Sequence, residues 1–113
     1  MNFAIQSGLV PGATLREKIR TLAKWGYDGI EVSGADVLNR AAELRRAMKT
    51  FPVKVTSACG GYPGWLVDPN PRLRNLCIAR IKKILSAGAE LGINGLVVPA
   101  SYGISTRGVR SSA

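Results

Sequence analysis

Ala23-Lys24-Trp25-Gly26-Tyr27-Asp28-Gly29-Ile30-Glu31-Val32-Ser33-Gly34 is the stretch that decides how this chain folds. A helical stripe ends at Trp25, Gly26 supplies the left-handed stop, and a short strand follows with Ile30 and Val32 on one face. Glu31 stands on the other face, near the C-terminal end of that strand. The pattern returns as Ala89-Glu90-Leu91-Gly92-Ile93-Asn94-Gly95-Leu96-Val97-Val98, with Val97 where Glu31 stood. The separation is about two strand-helix units, which points to a repeating β/α architecture.

On the N-terminal side, residues 2–6 are expected to form the first strand, with Phe3 and Ile5 on one face and Ala4 and Gln6 on the other. Thr14 followed by Glu17 is a capping-box signature. The helix it opens has Leu15, Ile19, Leu22 and Ala23 on its apolar stripe and Arg16, Arg20 and Lys24 on its wet one.

On the C-terminal side, the spacing predicts the second strand over 28–33 and a second helix over about 35–50, with Val37, Ala41, Leu44 and Met48 at helical intervals and a stop before Pro52. A third strand over 53–57 gives way to a long loop from Ala58 to Pro69. Asn70 as N-cap and Pro71 at the first helical position open the longest helix, to about Leu91, and a fourth strand covers 94–98.

Short strands alternating with helices pair in parallel through crossovers. Three helices cover two faces of an open four-strand sheet poorly, but they suit one arc of a barrel. The expected fold is therefore α/β, a partial (β/α) TIM barrel with the first four parallel strands and three helices. A complete barrel needs about 250 residues, so a chain of 113 supplies about half. Residues 1–102 form the expected half-barrel. Residues 103–113 carry no apolar period where a fourth helix should begin and read as an irregular, truncated tail.

Composition narrows the function classes. With 46% hydrophobic and 20% charged residues the chain reads as a soluble globular domain, and no run approaches the roughly 18 apolar residues of a membrane span. The first residues enter a strand at once, so no secretory signal is expected. Two cysteines and no histidine spell out neither a zinc knuckle nor a disulfide framework, which suits a reducing cytoplasm. Cys77 falls on a helical apolar stripe and reads as core. Sixteen Lys+Arg against seven Asp+Glu give +9, which invites a nucleic-acid reading. The charges are spread over three helices without aromatic interleaving, so solvated helix faces are the simpler account.

The strings Asn2-Phe3-Ala4-Ile5-Gln6-Ser7-Gly8, Trp25-Gly26-Tyr27-Asp28-Gly29-Ile30-Glu31-Val32 and Leu91-Gly92-Ile93-Asn94-Gly95-Leu96-Val97-Val98-Pro99 resemble the sugar phosphate isomerase/epimerase family, whose fold is the xylose-isomerase-like TIM barrel. The resemblance covers residues 2 to about 102, the first four strands. It implies proton transfer between adjacent carbons of a small sugar or sugar phosphate, through an enediolate. It also implies a divalent metal, manganese or magnesium, held by two glutamates, an aspartate and a histidine on later strands. Those positions lie past the end of this chain, so no metal ligand is assigned here and the fragment is expected to be inactive and to bind no metal. In the related apurinic endonucleases, histidines end the third and fourth strands. Here those ends read Ser57-Ala58-Cys59 and Pro99-Ala100-Ser101, which disfavours that branch and nucleic acid as a partner.

Within this frame Glu31 is the candidate catalytic residue, since barrel enzymes place their active sites at the C-terminal ends of the strands. Its alternative is a structural ion pair with Lys54, and the apolar residue at the equivalent Val97 shows that the repeat does not demand a carboxylate. Gln6, Ser7 and Ser33 belong to the same rim, as sugar contacts or as ordinary polar strand ends. Cys59 lies in the glycine-rich loop. Tyr62 and Trp65, further along it, would either stack on a sugar ring or pin the loop to the rim. The open sheet edges leave a second class of function, a half-barrel module completed by another copy or by a separate C-terminal half.

Overall fold

The computed structural model describes residues 1–99; the expected tail 103–113 lies outside the described residues. The strands are β1 (Ala4–Gln6), β2 (Gly29–Ser33), β3 (Lys54–Cys59) and β4 (Leu96–Val97), and the helices α1 (Leu15–Trp25), α2 (Gly34–Asn39), α3 (Ala41–Thr50) and α4 (Pro71–Leu91). The sheet runs in chain order, β1-β2-β3-β4, and every neighbouring pair is parallel.

The helix ends follow from their sequence. At α1 the Thr14 hydroxyl accepts from the Glu17 backbone N–H at 3.2 Å, and the Glu17 carboxylate accepts in return from the backbone N–H groups of Thr14 at 3.3 Å and Ala13 at 2.7 Å. Gly26 and Gly92 close α1 and α4 in the left-handed conformation, with φ of 77° and 75°. The Asn70 side chain caps α4 by accepting from the Arg72 backbone N–H at 3.0 Å.

Two expectations are corrected. The single helix over 35–50 is two, broken at Arg40, whose backbone (φ −129°, ψ 21°) leaves the helical region. The number of crossovers stays at three, since α2 and α3 share the second. The third strand continues through Ala58 to Cys59, because these residues pair with Leu96 and Val97 of β4. Cys59 thus ends a strand rather than opening a loop.

Register explains how the core forms. Ile5, Ile30 and Val55 are partners across the sheet, as are Val32, Ala58 and Leu96. Both rows turn toward the helices and pack with Leu15, Ile19 and Leu22 of α1, Val37 of α2, Leu44 and Ala47 of α3, and Cys77, Ile84 and Leu91 of α4. At about 1.5–3 kcal/mol for each large side chain removed from water, this layer is the main source of stability.

The opposite face carries Ala4-Gly29-Lys54, then Gln6-Glu31-Ser57, then Ser33-Cys59-Val97, in three rows. No helix covers it among the described residues. A bulge keeps these rows aligned: Ile30 pairs with Val55 but Glu31 pairs with Ser57, so Thr56 is an extra residue in β3. The Thr56 methyl group fills the space a Cβ on position 29 would need, which is why β2 begins with glycine.

Candidate functional site at the ends of the strands

The middle row of the open face holds the carboxylate. The Glu31 carboxylate accepts a hydrogen bond from Gln6 Nε2 of β1 at 2.8 Å and one from the Ser57 hydroxyl of β3 at 2.6 Å. Its neighbours in the sheet, on both sides and at the same level, therefore supply its partners. The ion pair with Lys54 considered from sequence is not formed among the described residues. Lys54 sits one row lower, beside Gly29.

Gln6, Ser7, Glu31, Ser33 and Cys59 line one open depression of about 190 Å³ at the C-terminal ends of β1, β2 and β3. Five of the seven residues singled out from sequence thus come together. Ser33 is also the N-cap of α2, its hydroxyl accepting from the Ala35 backbone N–H at 3.1 Å. Ser7 lies in a turn of 3-10 helix, Ser7–Leu9, braced by Lys18, whose ammonium donates to the Ser7 carbonyl at 2.8 Å. Burial pushes the Cys59 thiol up, and the negative Glu31 carboxylate pushes it further, so the thiol remains protonated at neutral pH.

The two aromatic residues of the long loop do not line this depression. Tyr62 is buried and its hydroxyl donates to the Pro99 carbonyl at 3.0 Å, the arrangement of a pin. Trp65 is half-buried. The loop is anchored elsewhere as well. Gly60 and Gly61 press so closely on Gly34 and Ala35 that a side chain at Gly34 or Gly61 would meet backbone, and Gly61 has φ of 82°.

Ser57 is the residue that sequence reasoning missed as a site member. Strict alternation along 53–57 sets Ser57 on the same face as Val53 and Val55, toward the helices. The bulge at Thr56 turns it to the open face instead. The signal that could have found it is Gly29: a glycine entering a buried strand marks a close neighbour, here the bulged residue itself.

A larger depression of about 640 Å³ lies at the opposite, N-terminal end of the strands, near Asp28, Met48, Phe51, Lys54 and Asn94. Its size does not make it the better site. Asp28 is already engaged by the Phe3 backbone N–H at 2.8 Å, whereas the smaller one concentrates a held carboxylate, hydroxyls and a thiol. Among the described residues no group of three or more His, Cys, Asp or Glu could hold a metal ion. Glu31 is a single carboxylate with an amide, hydroxyls and a protonated thiol around it, too few anionic ligands for a divalent metal, so these residues by themselves do not fit one.

Comparisons with known proteins agree with this geometry. A family model described as a xylose isomerase-like TIM barrel matches residues 19–112. The 3-dehydro-D-guloside 4-epimerase of Escherichia coli (strain K12) is 41% identical over 90 residues, which cover 80% of this chain and 34% of that protein. The chain therefore spans about a third of the length of this curated relative. The crystal structure of 3-keto-D-glucoside 4-epimerase from E. coli superimposes with a TM-score of 0.84 at 37% identity, over 94% of this chain and 40% of that one. D-psicose 3-epimerase, crystallised in the presence of D-fructose, gives 0.73 at 24% identity over 93% and 40%, a likeness of fold alone. The parallel sheet with its helices is thus part of a barrel.

Proposed function

The chain belongs to the xylose isomerase-like TIM barrel family, and from that membership we propose that it forms the N-terminal part of a sugar isomerase or epimerase. The reaction is proton transfer at a carbon next to a carbonyl, through an enediolate. This chain contributes one side of the sugar pocket. The observation that carries the reading is the row Gln6-Glu31-Ser57 beneath the shared rim of Ser7, Ser33 and Cys59. Glu31 is the carboxylate that meets the sugar. The depression contains that carboxylate and no lysine or arginine, so it suits a neutral sugar better than a phosphorylated one, which the carboxylate would repel.

Proton transfer of this kind needs an electrophile to stabilise the enediolate and correctly placed bases. Divalent metal, manganese or magnesium, is the electrophile expected for the whole barrel. The residues described here do not fit one, and no step is assigned through it. The isolated chain should accordingly show no turnover. The test follows methyl β-D-glucoside by amide chemical shifts. Binding that perturbs Gln6, Glu31, Ser33 and Cys59, and is weaker for glucose 6-phosphate, supports the reading. Perturbation confined to the depression around Asp28 and Phe51 overturns it. Deuterium exchange into a keto sugar by the 113-residue chain with added manganese would contradict the expected lack of turnover.

A second reading rests on a separate observation. The outer edges of β1 and β4 have no strand partner among the described residues, and α4 exposes Leu73, Leu76, Ile78 and Leu85. Unpaired edges and apolar helix surface are what a module awaiting closure presents. The occupant would be a second copy or a separate C-terminal half. Sedimentation decides it: a monomer with intact secondary structure and no tendency to associate removes obligatory closure.

A further inference from the structure

We propose that Ser57 is a positioning residue for Glu31, acting with Gln6 to fix the carboxylate so that it receives a pair of neighbouring sugar hydroxyls. The inference rests on the sugar-pocket reading above only in its second half; the holding of Glu31 stands on geometry alone.

An ionised carboxylate has two oxygens and about four acceptor positions. Two are taken, one by Gln6 Nε2 at 2.8 Å and one by Ser57 Oγ at 2.6 Å, on different oxygens. These are short, charge-assisted bonds, stronger than those between neutral groups. Each oxygen keeps one acceptor position, and two such positions on one planar group match two hydroxyls on adjacent carbons. A carboxylate left free to rotate would lose part of that match to the entropy of being ordered at the moment of binding.

The backbone is shaped to make this clamp. In a regular strand without the bulge, Thr56 would stand beside Glu31. The bulge moves Ser57 into that place, and Gly29 leaves room for the displaced Thr56 methyl group. The displaced Thr56 hydroxyl lies at a weak 3.4 Å from the Ile30 carbonyl. Bulges re-aim side chains and are enriched next to active sites. Gly29, Glu31, Thr56 and Ser57 thus act as one unit, and a hydroxyl at position 57 is its working part.

The test compares Ser57→Ala with Ser57→Thr in the 113-residue chain, reading the Gln6 side-chain amide and the Glu31 side-chain couplings by NMR, and methyl β-D-glucoside binding by titration. Amides of Val55 and Ala58 report that the fold is kept. We expect Ser57→Ala to release Glu31 into rotamer averaging, shift the Gln6 amide and weaken sugar binding about tenfold, the scale of one hydrogen bond to a charged group. Ser57→Thr should restore the Gln6 signal and bring binding back to within about threefold. Unchanged Glu31 couplings in Ser57→Ala, or no rescue by threonine, overturn the proposal. Gly29→Ala is the independent variant: it should disturb the same Gln6 and Glu31 signals through Thr56, and their indifference also counts against it. Release of Glu31 by Ser57→Ala in a chain that binds no sugar would uphold the holding role and sink the sugar reading instead.

Discussion

The two faces of this sheet follow opposite rules. Toward the helices, rows of Ile5, Ile30 and Val55 and of Val32, Ala58 and Leu96 pack against helix side chains. On the other side the same strands present Gln6, Glu31, Ser57, Ser33 and Cys59 to open space. One face is made by volume and tolerates little loss of it. The other is made by a few hydrogen bonds, adds little to stability, and is where chemistry is available. The two functions separate because successive residues of a strand point to opposite sides.

The contrast can be broken first at its apolar side. Ile84 of α4 is fully buried, and Ile84→Ala should cost about 2–5 kcal/mol in urea unfolding. A loss near zero would mean that α4 does not seal the core. Gly29→Ala comes next, at about 1–3 kcal/mol, because an overpacked methyl group must displace Thr56. It is the one substitution on the open face that should behave like a core change. Thr14→Ala removes the α1 cap and should cost about 1 kcal/mol by the same measurement.

The smallest stability effect belongs to the residue of most functional interest. Glu31→Gln should stay within about 0.5 kcal/mol in unfolding while weakening sugar binding. A large loss of stability would make Glu31 a structural acid. The same variant sharpens the electrostatic side. Glu31 helps hold the Cys59 thiol above its ordinary range, so its neutralisation should raise the thiolate fraction at fixed pH and speed iodoacetamide labelling. Because Cys59 and Cys77 both hold their protons more tightly when folded, their contribution is intact below the ordinary thiol range. It falls away as the pH rises through the folded values.

Much of the helix-facing side was legible in the sequence. Leu15, Ile19 and Leu22 at helical spacing, Thr14 with Glu17, and Asn70 with Pro71 each carry a local reason that survives folding. Leu73, four residues before the buried Cys77 on α4, is exposed although helical spacing puts it on the same side. The break at Arg40 carries no glycine or proline, and its one local mark is Asn39 before it, a poor helix former. The break lets the two helices take different main neighbours, α2 packing chiefly on α4 and α3 chiefly on α1.

The open face was legible by residue but not by contact. That Gln6 and Glu31 share a face follows from parity within each strand. That they sit at one level depends on register, which a parallel pair takes from packing over the whole crossover. Lys54, the obvious counter-ion by charge, pairs with Gly29 one row below Glu31, and the bulge after Val55 puts Ser57 rather than Thr56 beside the carboxylate.

That single extra residue gives β3 two phases. Up to Val55 an odd position points at the helices; from Ser57 onward an odd position points away from them. Anyone grafting new side chains onto this surface, or threading a distant sequence through it, has to swap the in-and-out pattern at Thr56. Deleting Thr56 would leave Ser57 and Cys59 on the open face and Ala58 toward the helices, in plain alternation with Val55. Pulling the bulge straight with Thr56 kept would instead turn Cys59 inward and bring Ala58 to the mouth.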